Sequence, residues 1–253
     1  MRKGLNIRAI GGASEKAKKE IKHDIERALF DHFDSLSQKE QEMFIQFERP
    51  KSEKELAVIQ LADKETSQLM QEAGVEPYSV PFENFHIVSP DIYKKLFDAD
   101  TVAASFCVKQ GIIFNDERFR NNPVYLGISV FHELLHLKGH LSIEVEEEES
   151  ASKIHGSLYR HGVTAYSSQQ TINKNQFHFH FSGLHEAIVS EAEKQFLPKL
   201  LDLPELALEK RWLNSEKAKN LKKKIAIEKG IPEEDIIWVN EDGSDYEDFS
   251  YRA

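Results

Sequence analysis

The run from Asn122 to Gly139, Asn-Pro-Val-Tyr-Leu-Gly-Ile-Ser-Val-Phe-His-Glu-Leu-Leu-His-Leu-Lys-Gly, constrains the fold more than any other part of the chain. Proline suits the first turn of a helix and glycine its end, so the run predicts one long helix from Val124 to about Lys138. Val130, Phe131, Leu134, Leu135 and Leu137 are apolar, and such a helix lies largely inside the protein. Yet it carries His132, Glu133 and His136. At 3.6 residues per turn the two imidazoles stack on one face, and Glu133 sits about 100° round the helix. Buried polar groups need partners. One metal ion held by both histidines supplies a partner to each; hydrogen bonds to backbone or carboxylates are the alternative. Glu133 can then reach water in an open coordination position without being a ligand. That is the pattern in which zinc takes the histidines and the glutamate acts as general base.

The flanking sequence predicts an α+β architecture. Residues 14–73 read as helices, with Ser37-Gln38-Lys39-Glu40 and Ser52-Glu53-Lys54-Glu55 both spaced as capping boxes and Pro50 between the two segments. Val58, Leu61, Glu65 and Leu69 fall at helical spacing, and Gly74 suits a C-terminal stop. This charged arm can cover a core or bind a partner. After Pro77, Phe82 to Val88 reads as a strand and Pro90 to Phe97 as a short helix. Residues 101–108 and 112–115, joined by Lys109-Gln110-Gly111, read as a β-hairpin ahead of the long helix. Beyond it, Arg160 to Ser167 and Gln176 to Phe181 read as a second hairpin, with Phe177, Phe179 and Phe181 alternating with His178 and His180. Ser182 caps a helix from Gly183 to about Phe196, Pro204 opens helical sequence to Gly230, and Asp235 to Asn240 reads as a short strand. The residues from Glu241 read as a loose acidic tail. The acidic run Glu144 to Glu149 and the lysine-rich run Lys217 to Lys224 read as solvated helix faces. The division expected is an N-terminal helical arm (1–76), a core (77–200), and a C-terminal helical extension with an acidic tail (201–253).

Composition narrows the partners. The 253 residues hold 33 Lys and Arg against 43 Asp and Glu, a formal charge of −10, which disfavours a broad nucleic-acid surface. The single cysteine, Cys107, excludes an intrachain disulfide framework and a cysteine-rich zinc ribbon. No signal-peptide-like run opens the sequence and no apolar stretch reaches membrane-spanning length, so a cytoplasmic protein without membrane attachment is expected.

A zinc site of this kind needs a third protein ligand and an open fourth position. His140 is near in sequence but follows the expected helix stop at Gly139, and the acidic run near Glu144 reads as solvent-facing. Glu186 is the best candidate: Leu184, Ala187, Ile188 and Val189 around it predict a buried helix, where a carboxylate needs a partner.

His132-Glu133-Leu134-Leu135-His136 followed by a glutamate on a later helix resembles the gluzincin branch of the zincin metallopeptidases. The order of hairpin, long helix, intervening segment and second helix, over roughly residues 78–200, is similar to the zincin-like fold. A metzincin would place a third histidine at position 142, which here is Ser142. The resemblance implies a small antiparallel or mixed sheet beside the helix. It also implies Zn²⁺ held by His132, His136 and Glu186, with Glu133 as base and proton shuttle. In the family an acidic residue often stands four positions after the third ligand; here that position is Ser190 and the acid follows at Glu191. Glu186 lies 50 residues after His136, a longer separation than in thermolysin-like members. A second electrophile is usual in such enzymes, and His155, Tyr159, His161, Tyr166, His178 and His180 are the candidates.

The function expected is hydrolysis of peptide bonds in a peptide or protein substrate. A zincin-fold metal-binding interaction protein without turnover is the alternative. A nucleic-acid-associated protein using Lys217 to Lys224 is a third reading that the net charge opposes.

Overall fold

The structure is a computed structural model, and it describes residues 5, 7–96, 103–106, 109–148, 153–161, 164–171, 174–180 and 182–249. The elements in order are β1 (Ile7–Ile10), α1 (Glu15–Phe30), α2 (His32–Ser35), α3 (Gln38–Phe47), α4 (Glu53–Glu72), β2 (Phe85–Val88), α5 (Pro90–Leu96), β3 (Ala103–Phe106) and β4 (Gly111–Asn115). There follow α6 (Asp116–Phe119), α7 (Pro123–Leu137), β5 (Leu141–Glu148), β6 (Lys153–His161), β7 (Thr164–Thr171), β8 (Lys174–His180) and α8 (Ser182–Leu201). The chain ends in α9 (Ala207–Leu213), α10 (Glu216–Lys229), β9 (Ile236–Val239) and β10 (Tyr246–Asp248). The class is α+β.

Local chemistry accounts for the helix boundaries. Ser37 and Ser52 each cap a helix, and Glu40 and Glu55 return hydrogen bonds to the cap residues, completing both capping boxes. Asn122 caps α7 by accepting from the Tyr125 N–H at 3.0 Å, with Pro123 in the first turn. Gly230 ends α10 in the left-handed conformation.

The strands form three sheets among the described residues. In one, β2 runs parallel to β4 and β3 pairs antiparallel on its other side, leaving β3 at an edge. This includes the hairpin expected ahead of the long helix; its positions 101, 102, 107 and 108 lie outside the described residues. The second sheet has the order β1-β5-β6-β7-β8, with β1 parallel to β5 and the rest antiparallel. The third is the β9–β10 pair.

Several expectations are corrected. The acidic run near Glu144 is strand β5, not a helix face: Leu141, Ser142 and Ile143 are buried, and from Ile143 to Glu146 burial alternates with exposure, the period of two of a half-buried strand. Strand β1 was not anticipated, because its partner is remote in sequence. Residues 82–84 form a 3₁₀ turn and the strand begins at Phe85. The second hairpin is β7–β8, preceded by the separate strand β6. The described part of the tail, residues 241–249, is not loose: β10 pairs with β9, and Phe249 is buried.

One apolar cluster joins Leu29 of α1, Val58 and Ala62 of α4, Ile87, Phe114, Leu126 and Leu134 of α7, Leu200 of α8, and Ile237 and Phe249 near the C-terminus. The N-terminal helices therefore cover the core rather than stand apart from it. Burying each such side chain contributes on the order of 1.5–3 kcal/mol. Lys138, at the end of α7, is buried and donates to the Thr66 hydroxyl at 2.9 Å, the Ser67 hydroxyl at 2.8 Å and the Asp63 carbonyl at 2.9 Å, and pairs with the Asp63 carboxylate at 2.8 Å. These bonds fix α4 against the end of α7. Among the described residues no helix is long and apolar enough to cross a membrane.

Candidate metal centre

Helices α7 and α8 pack along their lengths, and three contacts set their register. Gly127 receives Leu200: a Cβ on Gly127 would stand 2.6 Å from Leu200 Cδ2. One turn on, Phe131 and Phe196 stack with ring centroids 4.2 Å apart and 5° between planes. Next, His132 Nδ1 donates to Glu193 Oε1 at 3.1 Å, and Glu193 is fully buried. This places Glu186, two turns back along α8, over both histidines. His132 Nε2 is 3.4 Å from Glu186 Oε2, His136 Nε2 is 3.4 Å from Glu186 Oε1, and the two Nε2 atoms are 2.9 Å apart.

His132, His136 and Glu186 thus bring one ligand atom each to a common point, all within 4.8 Å of one another. Tetrahedral ligands about 2.0–2.1 Å from zinc stand about 3.3–3.4 Å apart. The two 3.4 Å separations are to different Glu186 oxygens, so one oxygen shared by both histidines requires a rotation of that carboxylate, and the nitrogen pair needs to open by about 0.5 Å. Two imidazoles and a carboxylate are also a donor set that zinc accepts. The residues fit the ion.

The carboxylate and the rings also shift one another's protonation. Burial pushes the Glu186 carboxyl up, but the hydrogen bond from His136 and the nearby His136, His132 and His185 rings outweigh it and hold it below the usual carboxylate range. Burial pushes His136 down, but Glu186, Glu133 and Glu193 outweigh it and raise the ring above its ordinary value. Glu133 is half-buried and follows His132 on α7; its charge acts on His136 without its entering the three-ligand cluster.

Glu186 reaches this place for a different reason from the one its neighbours suggest. Leu184 and Ile188 are 55% and 52% exposed and Ala187 is exposed too, so the buried face of α8 is not the apolar run around Glu186. That face is His185, Val189, Glu193, Phe196 and Leu200. Glu186 is half-buried at its edge. His185 packs edge-on against His136, centroids 4.7 Å apart, and is lowered by burial and by His136.

The residue that sequence reasoning missed is Glu193. The acid expected at the third-ligand motif, Glu191, is exposed, and Ser190 makes no part of the cluster. Glu193 lies seven positions after Glu186, two helical turns, and that spacing together with Phe196 and Leu200 was the available signal. His140 is not in the cluster; its Nε2 meets the Ser142 hydroxyl at 2.9 Å. His155, Tyr159, His161, Tyr166, His178 and His180 stand on β6, β7 and β8, and their side chains lie outside the described residues. In the lysine-rich run, Lys222 donates to the Ile236 carbonyl at 2.7 Å, Lys219 pairs with Glu216 at 3.1 Å, and Lys217 lies over the Trp212 ring. Comparison with protein families, curated proteins and solved structures gives no match for this chain.

Proposed function

We propose that the protein is a zinc-dependent metallopeptidase of the gluzincin type, built on a zincin-like core, with His132, His136 and Glu186 as ligands and Glu133 as general base. The observation that carries the reading is the convergence of His132 Nε2, His136 Nε2 and a Glu186 oxygen, with Glu133 on the same helical turn. Bound zinc supplies the Lewis acidity that brings the pKa of water to about 7 and polarises a carbonyl. The chain's own residues do the rest. Glu193 fixes the His132 ring by holding its Nδ1–H, so that Nε2 keeps its lone pair for the metal. Glu133 accepts the proton of the attacking water and returns it to the leaving amine. Strand β3, at a sheet edge and packed beside α7, offers backbone groups to an extended peptide.

The test is Glu133→Gln. The amide keeps the size of the carboxylate but is a poor proton acceptor, and loss of a general base costs on the order of 10²–10⁴ in rate. Zinc content is expected to stay at one per chain while cleavage of a denatured-protein or peptide-library substrate falls by that factor. Equal cleavage by wild type and variant removes Glu133 from the mechanism. Zinc-loaded wild type that cleaves nothing across a broad library supports the alternative, a metal-binding interaction protein without turnover.

A further inference from the structure

A second pair of histidines converges elsewhere in the molecule, on residues that take no part in the centre above. His32 on α2 and His86 on β2 are both buried, and their Nε2 atoms stand 2.8 Å apart. The opposite nitrogen of each ring is anchored. His32 Nδ1 lies 2.7 Å from the Lys109 carbonyl oxygen, and His86 Nδ1 lies 2.7 Å from Glu48 Oε2. A carbonyl and a carboxylate only accept, so both Nδ1 atoms carry the hydrogen. A neutral imidazole with its proton on Nδ1 presents a lone pair at Nε2. The two lone pairs therefore face each other, and the neutral pair has no hydrogen bond to make there. A cation between them is required.

Three features decide which cation. First, both rings are oriented from behind in the manner of metal-ligating histidines, one by a carboxylate and one by a backbone carbonyl. The candidate zinc centre repeats half of this, with His132 held by Glu193 and an Nε2–Nε2 separation of 2.9 Å. Second, the pair opens onto a cavity of about 180 Å³ whose wall includes Met43 and Glu40, room for the further ligands or waters that a metal needs and a shared proton does not. Third, the Glu48 carboxylate lies 2.7 Å behind His86, fixed negative charge on the side of the ring away from the cavity that favours a bound cation.

The surroundings are built to hold the rings. Phe44 stacks on His86, with centroids 3.8 Å apart and 13° between planes. Gly111 makes room for His32, since a Cβ there would lie 2.6 Å from His32 Cε1 and 3.0 Å from Nε2. Glu48 reaches His86 because residue 48 bridges antiparallel to Val88 on β2.

We propose that His32 and His86 form a second metal site, for an imidazole-seeking transition cation of the zinc or copper class, bound through the two Nε2 atoms with its remaining positions facing the cavity. At metal–nitrogen distances of about 2.0–2.1 Å the pair needs to part by only about 0.5 Å. Imidazole donors without thiolates suit zinc, copper and nickel.

The experiment uses the full chain, stripped by chelation and titrated with Zn²⁺ alone. Wild type is expected to bind two equivalents. His132→Gln with His136→Gln, which removes the candidate catalytic centre, is expected to retain one. His32→Gln with His86→Gln is expected to lose one, and the four substitutions together to lose both. Failure of the peptidase reading changes only the equivalent removed at His132 and His136, so the two conclusions stand or fall separately. If the His132/His136 variant binds no zinc that the His32/His86 substitutions remove, the proposal is overturned. Should the buried variants not fold, ¹⁵N-histidine spectra of wild type decide. Zinc must shift the Nε2 resonances of His32 and His86; if they stay put, or show a shared N–H–N proton that zinc does not displace, the site is a proton clamp and the proposal fails.

Discussion

Replacing Glu193 by glutamine tests whether the α7–α8 pair is a metal centre or a hydrogen-bonded histidine cluster. Glu193 is fully buried and accepts from His132 Nδ1 at 3.1 Å. The amide keeps the shape and an accepting oxygen, so the ring orientation survives, but the negative charge behind it is lost. A hydrogen bond to a charged group is worth about 1.5–3 kcal/mol against about 0.5–1.5 for a neutral one, so about 1–1.5 kcal/mol is lost from the bond alone. Removing a partner behind a metal-ligating histidine commonly weakens the metal about 10–100-fold, or about 1.4–2.7 kcal/mol. The complete burial of Glu193 places the expected loss in the upper part of that range. Competition against a chromophoric chelator at neutral pH measures it. Glu191→Gln, on the exposed side of the same helix, is the control and is expected to bind as wild type does. If Glu193→Gln holds zinc within twofold of wild type, Glu193 does not tune His132 and the arrangement argued here is wrong.

Gly127→Val is expected to push Leu200 away and destabilise the protein by about 1–3 kcal/mol, lowering the thermal midpoint by about 2–12 °C in a scanning measurement; zinc affinity falls with it, because the same contact sets the helix register. Glu55 accepts two hydrogen bonds from Arg49, at 2.6 and 2.9 Å, and although burial pushes its carboxyl up, Arg49 and Ser52 outweigh that and hold it below its ordinary value. A depressed folded pKa gives stability that is fully present above the unfolded value of about 4.3 and is lost as pH falls through the folded value. Glu55→Gln should therefore be less stable than wild type by about 1–3 kcal/mol at pH 7 in urea titrations, and the difference should vanish in acid. Lys138→Met leaves Asp63 without its buried ammonium and is expected to cost up to about 3–5 kcal/mol by the same assay.

What could be read in advance followed the reach of each interaction. The α7 helix was legible because its cap, its apolar face and its histidine spacing are all local. The capping boxes at Ser37 and Ser52 are local too, and so is the hairpin turn at Gly111. Strand β1 was not legible because its four residues are too few for a clear period and pair with a strand more than a hundred positions away. The acidic strand β5 reads as a solvated helix face because the unbroken run Glu146 to Glu149 hides the short alternation of Ile143, Glu144, Val145 and Glu146 before it. On α8 the apolar residues fall on all sides, so the sequence around Glu186 suggested burial where the structure exposes Leu184 and Ile188. The spacing of Glu193 from Glu186, Phe196 and Leu200 places it on the buried face of α8, but its partner His132 lies on another helix and is not encoded locally.

The origin of the site in two helices has a consequence for its energetics. His132, His136, Glu186 and Glu193 all belong to α7 and α8, so zinc held as proposed would couple its binding to helix packing in one equilibrium. An ion bound only by the packed helices stabilises them, by about 4.1 kcal/mol when its free concentration is 1,000 times Kd. The converse is expected of the proposed centre: a substitution at the Phe131–Phe196 stack would weaken zinc by loosening the same pair of helices. The strands β5 to β8 between the helices supply none of the three ligands. Lengthening such a connection costs only about 0.6 kcal/mol per doubling. The 50 residues separating His136 from Glu186 are therefore compatible with a fixed centre, because register along α7 and α8, not the length of the chain joining them, places the third ligand.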